Sequence, residues 1–247
     1  MALTRLFVRS TLQAGQDLTL DSEQAHYLGR ALRLRVGDSL SIFSAESGEF
    51  DATLTNIGKS SAQISVGNAV PTATESPLKV HLVQGVSRGE RMDFVVQKAT
   101  ELGVKRISPV LTEYGVVKLD GSRASKRRDH WQKVAISACE QCGRTRPPRI
   151  DDPLPLKHWF GAKTKDADVD LILKPGAATP MASIKAPQTK VCLLIGPEGG
   201  FSETEYDDAE FSGFKAVSLG PRVLRTETAA IAAVTVAESL WGDLAQS

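Results

Sequence analysis

Two short stretches carry most of the residues suited to chemistry: Leu193–Glu205, "LLIGPEGGFSETE", and Leu219–Thr228, "LGPRVLRTET". Each runs from apolar residues into Gly-Pro and then toward a helix start. A glycine-rich loop in that setting ordinarily cradles a phosphate, because a helix N-terminus offers free N–H groups and the positive end of its dipole. Neither stretch has the Gly-Lys-Ser/Thr of a nucleotide-triphosphate loop or the Gly-x-Gly-x-x-Gly of a dinucleotide fold. Glu198, at the centre of the first, would repel a phosphate. Behind the second stand Arg225, Thr226, Glu227 and Thr228. Arg225 is suited to stabilising a developing anion and Glu227 to accepting a proton or orienting the site. Glu198 is the second candidate acceptor and His26 a third. Against this, a glutamate in a first helical turn is also what the helix dipole alone favours.

The loops suit a ligand that needs close backbone approach and no anion cradle. Gly196, Gly199, Gly200 and Gly220 leave space at the floor. Leu173, Leu194, Ile195, Leu219, Val223 and Leu224 supply apolar surface for a flat base, and Arg225, Thr226 and Thr228 are candidates to meet the same ligand. S-Adenosylmethionine fits: it has an adenine, a ribose and a sulfonium cation, and no phosphate. The two loops are expected to end neighbouring strands, since such sheets bind ligands beyond their strands' carboxyl ends.

A formal net charge of +1 over 247 residues conceals an asymmetry. Residues 1–72 hold 6 Lys+Arg and 7 Asp+Glu, residues 73–150 hold 15 and 8, and residues 151–247 hold 9 and 14. The middle segment therefore carries the basic excess expected of a polyanion-binding face, or of a solvated basic helix. Its candidates for nucleic-acid phosphates are Arg88, Arg123, Lys126, Arg127 and Arg128, then Arg144, Arg146 and Arg149 in "GRTRPPRI", which two prolines stiffen. Arg5, Arg9, Arg30 and Arg33 lie in the N-terminal segment. Trp131 reads as core. Cys139 and Cys142, two of only 3 cysteines, lack the further ligands of a zinc site and read as packed on a helix. No metal cluster is seen, no run is long and apolar enough to span a membrane, and the cytoplasm is the natural compartment.

These residues need elements to position them. "RLFVRS", "DLTL", "SLSIF", "FDATLTNI" and "AQISVG" read as short strands of a small β-barrel over residues 1–72, interrupted by one helix that Ser22 is placed to cap. The polar segment 68–77 serves as linker. From 73 to 247, strands alternate with helices: "KVHLVQG", "RISPVLT", "VDLILK", "KVCLLIG" and "KAVSLG" are the strands. This is an α/β pattern with a mostly parallel sheet covered on both faces. Ser87 with Glu90 and Ser202 with Glu205 are spaced as capping boxes, while Gly103 and Gly213 are placed to end helices.

Together "SRGERMDFVVQKATELGV", "ACEQCGR", "LLIGPEGGFSETE" and "LGPRVLRTETAA" resemble the 16S ribosomal RNA uracil-N3 methyltransferase family of the SPOUT, or α/β trefoil-knot, superfamily. "RLFV" and "HYLGRALRLRVGD" resemble its N-terminal PUA/OB-like barrel. Arg88 stands where lysine is commoner. The resemblance implies a C-terminal knot, S-adenosylmethionine as donor, a homodimer, and 16S ribosomal RNA of the small subunit as substrate. A SPOUT enzyme for another base or a ribose 2′-hydroxyl, and a non-catalytic ribosome-assembly factor, are the alternatives that residue chemistry leaves open.

Overall fold

The structure is a computed structural model that describes residues 4–163 and 167–245. The chain divides into two compact units, Met1–Glu75 with Cys139–Arg146, and Ser76–Ala138 with Pro147–Ser247. No helix among the described residues is long and apolar enough to cross a membrane.

In the first unit the expected strands all form: β1 (Arg5–Phe7), β2 (Asp17–Leu20), β3 (Ser39–Ser44), β4 (Gly48–Ile57) and β5 (Ala62–Val70). They lie in the order β1-β3-β4-β5-β2, antiparallel except for β1 against β3. The edges β1 and β2 do not pair, so the sheet curls as a half-barrel. Period-two alternation builds it: Phe50, Ala52 and Leu54 of β4 turn inward while Asp51, Thr53 and Thr55 face water. Leu6, Leu40, Ile42 and Ile64 complete the same core. Helix α1 (Ser22–His26) is capped by Asp21 rather than Ser22. Asp21 Oδ1 accepts from Gln24 N at 2.9 Å, and Gln24 Oε1 accepts from Asp21 N at 3.3 Å. A carboxylate at the positive end of a helix displaces the hydroxyl one residue later. A π-helical turn, Tyr27–Ala31, follows.

The second unit contains β6 (Lys79–Gly85), α2 (Arg91–Glu101), β7 (Arg106–Leu111), most of α3 (Gly121–Cys142), β8 (Arg149–Ile150), β9 (Leu154–Pro155) and α4 (Leu156–Ala162). It continues through β10 (Val169–Leu173), β11 (Lys190–Ile195), α5 (Glu203–Phe211), β12 (Lys215–Val217) and α6 (Thr226–Trp241). The strands form a parallel sheet in the order β12-β10-β11-β6-β7-β8, with β9 also on β7. Both faces are covered. Val191, Leu193 and Ile195 of β11 join a core with Val95 of α2, Trp131 of α3 and Ala233 of α6. Cys192 and Leu194 join another with Trp159 of α4 and Ala209 of α5. The strands carrying the two Gly-Pro loops, β11 and β12, are not neighbours, because β10 lies between them.

The Ser202–Glu205 capping box forms as expected: Ser202 Oγ accepts from Glu205 N at 3.2 Å, and Glu205 Oε2 from Ser202 N at 3.0 Å. The Ser87–Glu90 box does not. Ser87 is buried with its hydroxyl toward Gly85 O, Gly89 turns with φ +60°, and Glu90 itself takes the N-cap position of α2. Gly103 and Gly213 follow α2 and α5 with φ near +90°, the left-handed conformation that ends a helix.

Candidate active site

The carboxyl ends of β10, β11 and β12 and the start of α6 enclose a cavity of about 510 Å³, within the range of small-molecule sites. After Ile195 the first loop folds back on itself, Gly200 N donating to Pro197 O at 2.9 Å with Gly200 at φ +71°. The capping box then starts α5. After Val217 the second loop turns at Gly220, φ +93°, and Arg225 becomes the extended N-cap residue of α6. Thr226 Oγ1 donates to Gly196 O at 2.6 Å, joining the start of α6 to the first loop.

Of the residues expected to meet a donor, Leu173, Ile195, Gly196, Gly200, Leu219, Gly220, Val223, Leu224, Arg225 and Thr226 line this cavity, with Glu198 and Glu227. Leu194, Gly199 and Thr228 do not. Leu194 points to the opposite sheet face from Ile195, as adjacent strand residues must. Gly199 is a glycine for another reason: a Cβ there would lie 2.7 Å from Tyr114 O. Thr228 is exposed on α6. The sequence reading missed Arg91, Lys174, Phe201, Tyr206 and Arg222, which also line the cavity.

Glu198 Oε1 accepts from Arg91 Nη1 at 2.6 Å and from Arg88 N at 3.1 Å. Burial alone would raise its pKa, but its own backbone N–H, the Arg91 guanidinium and the Arg88 N–H hold the carboxyl below its ordinary value. A carboxylate held in that way is a weak base. Glu227 differs: its Oε2 is buried and has no hydrogen-bond partner among the described residues. The Arg225 side chain is exposed and makes no hydrogen bond or ion pair among the described residues. Lys174 Nζ lies 4.2 Å from the centroid of Tyr206, whose hydroxyl is pushed up by burial and by Glu203 and Glu205.

The basic candidates sort into free and occupied. In the first unit Arg9, Arg30, Arg33 and Arg146 are exposed, as is His26. Arg33 adopts φ 57°. Arg5 points inward: it pairs with Glu49 at 2.8 Å and donates to Gly143 O at 3.1 Å and Arg144 O at 3.2 Å. Arg144, its side chain 3% exposed, pairs with Glu75 at 3.0 Å. Buried and paired, these two guanidiniums hold the fold together. In the second unit Arg88, Arg123, Lys126 and Arg127 are exposed, whereas Arg128 pairs with Asp129 and Asp152 and Arg149 with Asp151. Trp131 is core, its indole N–H donating to Asp93 at 3.1 Å. Cys139 and Cys142 lie on α3 and form no disulfide; the Cys142 hydrogen bond and burial push the Cys139 thiol up.

The chain is similar to known RNA methyltransferases. Residues 74–238 match a family model described as an RNA methyltransferase domain, and residues 20–67 one described as an RNA methyltransferase PUA domain. Ribosomal RNA small subunit methyltransferase E of Buchnera aphidicola subsp. Acyrthosiphon pisum is 34% identical, over 98% of this chain and 95% of its own. A Legionella pneumophila methyltransferase solved with its bound cofactor SAM superposes with a TM-score of 0.94 at 38% identity, covering 99% of this chain and 100% of that one. Ribosomal RNA small subunit methyltransferase E of Neisseria gonorrhoeae, solved with S-adenosylmethionine, gives 0.91 at 36% identity over 98% and 99% of the two chains.

Proposed function

The chain belongs to the ribosomal RNA small subunit methyltransferase E family, and from that premise we propose that it methylates N3 of a uridine in 16S ribosomal RNA with S-adenosylmethionine as donor. The observation that supports this best is the composition of one cavity. Gly200 and Gly220, where a Cβ would meet nothing within 4 Å, leave its floor open, and among the described residues Arg225 brings a free guanidinium and Glu227 an unpartnered carboxylate oxygen. Among the described residues the only other carboxylate on its lining, Glu198, is already engaged by Arg91. Such a lining fits a donor with an adenosine and no phosphate.

The bound donor supplies an electrophilic methyl group on a sulfonium. The residues of the chain must do the rest. Uracil N3 carries an imide proton and is a poor nucleophile until that proton leaves. Glu227 Oε2 is the acceptor for it, having no competing partner. As the proton leaves, negative charge spreads over O2 and O4, where the Arg225 guanidinium stabilises it. Glu198 orders the first loop through Arg91 and Arg88. Arg9, Arg30, Arg33, Arg88, Arg123, Arg127 and Arg146 meet the phosphates of the small-subunit RNA. The enzyme works as a homodimer in the cytoplasm.

Nucleoside mass spectrometry of 16S ribosomal RNA tests the reading. A strain lacking the protein should lack 3-methyluridine, and the wild-type gene should restore it. An unchanged nucleoside profile would refute the assignment, and loss of a different methylated nucleoside would move it to another base or ribose. Light scattering at micromolar concentration that reports only the 26.5 kDa monomer would refute the dimer.

A further inference from the structure

Gln84, next to last in β6, is fully buried and does not line the cavity. Its Nε2 donates to Gly85 O at 3.0 Å and to Thr226 Oγ1 at 2.9 Å. Thr226 Oγ1 in turn donates to Gly196 O at 2.6 Å. The direction of this chain is set at both ends. Gly85 O and Gly196 O only accept, so the amide must present its nitrogen, and the hydroxyl must give its one proton to Gly196. Gln84 Oε1 is left buried with no hydrogen-bond partner among the described residues. A residue serving packing alone would be better as methionine or leucine, which fill similar volume without desolvating an unused amide oxygen.

The neighbouring residue holds the same loop by contact. A Cβ on Gly85 would lie 2.4 Å from Pro197 Cδ and 2.5 Å from Pro197 N. The last two residues of β6 thus meet the first two residues of the loop after β11, one through Thr226 and the other directly. Thr226 is also the first residue of α6, between Arg225 and Glu227.

We infer that Gln84 is a positioning residue for methyl-donor binding, acting through Thr226 to fix the Gly196 carbonyl and with it the cavity-facing backbone of residues 196–200. The inference rests on the donor-site reading above. No atom of Gln84 need touch the donor. The hydroxyl of Thr226 is the joint, and any side chain that restores it should restore binding.

Calorimetry with S-adenosylmethionine tests this on the wild-type protein, Gln84→Met, Thr226→Val, Thr226→Ser and the double variant Gln84→Met/Thr226→Val. Gln84→Met and Thr226→Val should each weaken donor binding about tenfold, the loss typical of breaking one buried hydrogen bond. Thr226→Ser should bind within about threefold of wild type, since only the methyl is lost. The double variant should bind no more weakly than the worse single one, because both break one chain. With small subunits as acceptor, Gln84→Met should raise KM for the donor while its kcat at saturating donor stays within about threefold. Losses that multiply in the double variant, or a Thr226→Ser variant as weak as Thr226→Val, would reduce Gln84 to packing and overturn the inference. If Gln84→Met does not fold, Gln84→Leu takes its place, with the same loss of donor binding expected and an unaltered affinity overturning the inference. Wild-type protein that binds no donor would overturn the donor-site reading and this inference with it. Wild-type binding with unaltered variants would overturn the inference only.

Discussion

The two Gly-Pro loops border one cavity and are built in opposite ways. The first is tied along its length. Gly196 O accepts from Thr226, Pro197 rests on Gly85, Glu198 is held by Arg91 and Arg88, and Gly199 sits against Tyr114. The second is open. Gly220, Pro221, Arg222, Val223 and Arg225 are exposed, Val223 at 81%. Among the described residues neither Arg222 nor Arg225 has a side-chain hydrogen bond or ion pair. A loop fixed in advance suits a small ligand that always binds in the same way, because its ordering cost is met on folding. A loop with a free cation suits a polymeric substrate that must enter and leave. The division predicts that damage to the first loop shows in donor affinity and damage to the second in the rate.

The largest effect should come from the open loop. Arg225→Ala should slow single-turnover methyl transfer about a hundredfold, the usual loss on removing an anion-stabilising group. Donor affinity by calorimetry should stay within about twofold of wild type. A parallel fall in donor affinity would break the division between the loops.

Next comes a pair of glycine substitutions. Gly85→Ala drives a Cβ to 2.4 Å from Pro197 Cδ in the fixed loop. Overpacking of this kind costs about 1–3 kcal/mol, and donor affinity should fall by more than about tenfold. Gly220→Ala meets nothing within 4 Å and suffers only the strain of φ +93°, about 1 kcal/mol. Its loss in donor affinity should be correspondingly smaller. Equal losses would show that the second loop is as preorganised as the first.

Glu198→Gln should act more weakly, because both partners are partly exposed, at 45% for Arg91 and 28% for Glu198. Donor affinity at neutral pH should fall about twofold to threefold, with a melting temperature lower by one or two degrees. The folded pKa is depressed, so the clamp stabilises fully above the ordinary value of 4.5 and is lost as pH falls through the folded value. The difference in melting temperature between variant and wild type should therefore close below pH 4.5. A difference that persists there would show that the carboxylate's charge is not what orders the loop.

The smallest effect serves as a control remote from both loops. Glu238, near the far end of α6, is fully buried and accepts from Ser76 Oγ at 2.6 Å. Burial first, then Asp243, pushes its pKa above 4.5. Its contribution to stability is present below that ordinary value and is lost as pH rises through the raised folded value. Glu238→Gln should melt a few degrees higher than wild type, the margin widening as pH rises from 4.5. Methyl transfer and donor affinity should not change.

What was legible in the sequence had short-range physical causes. The apolar runs "KVHLVQG", "VDLILK" and "KVCLLIG" became β6, β10 and β11, since a strand buried on both faces has no polar side to show. Ser202 with Glu205 closed as a capping box because both partners lie within one helical turn. The two-residue strands β8 and β9 and the short helix α4 went unread, being too brief to display a period. Arg88, read as a contact for RNA phosphates, is exposed, whereas Arg91, which lines the cavity, carries no spacing signal that singles it out. The spacing of Ser87 and Glu90 placed the start of α2 too early, because Glu90 and not Ser87 takes the N-cap position.

By itself, then, the sequence determined the two glycine loops, the helix that follows each, and the cation and carboxylate at the start of α6, all through contacts between residues close along the chain. Only the tertiary structure decided the rest. It put β10 between the two loop strands, turned Ile195 toward the cavity and Leu194 away, made Tyr114 the reason for Gly199, and gave Arg5 and Arg144 to Glu49 and Glu75. Each of these depends on which residues distant in sequence come within a few ångströms of one another. Side-chain type states what a group can bind; strand order and burial state what is there to be bound.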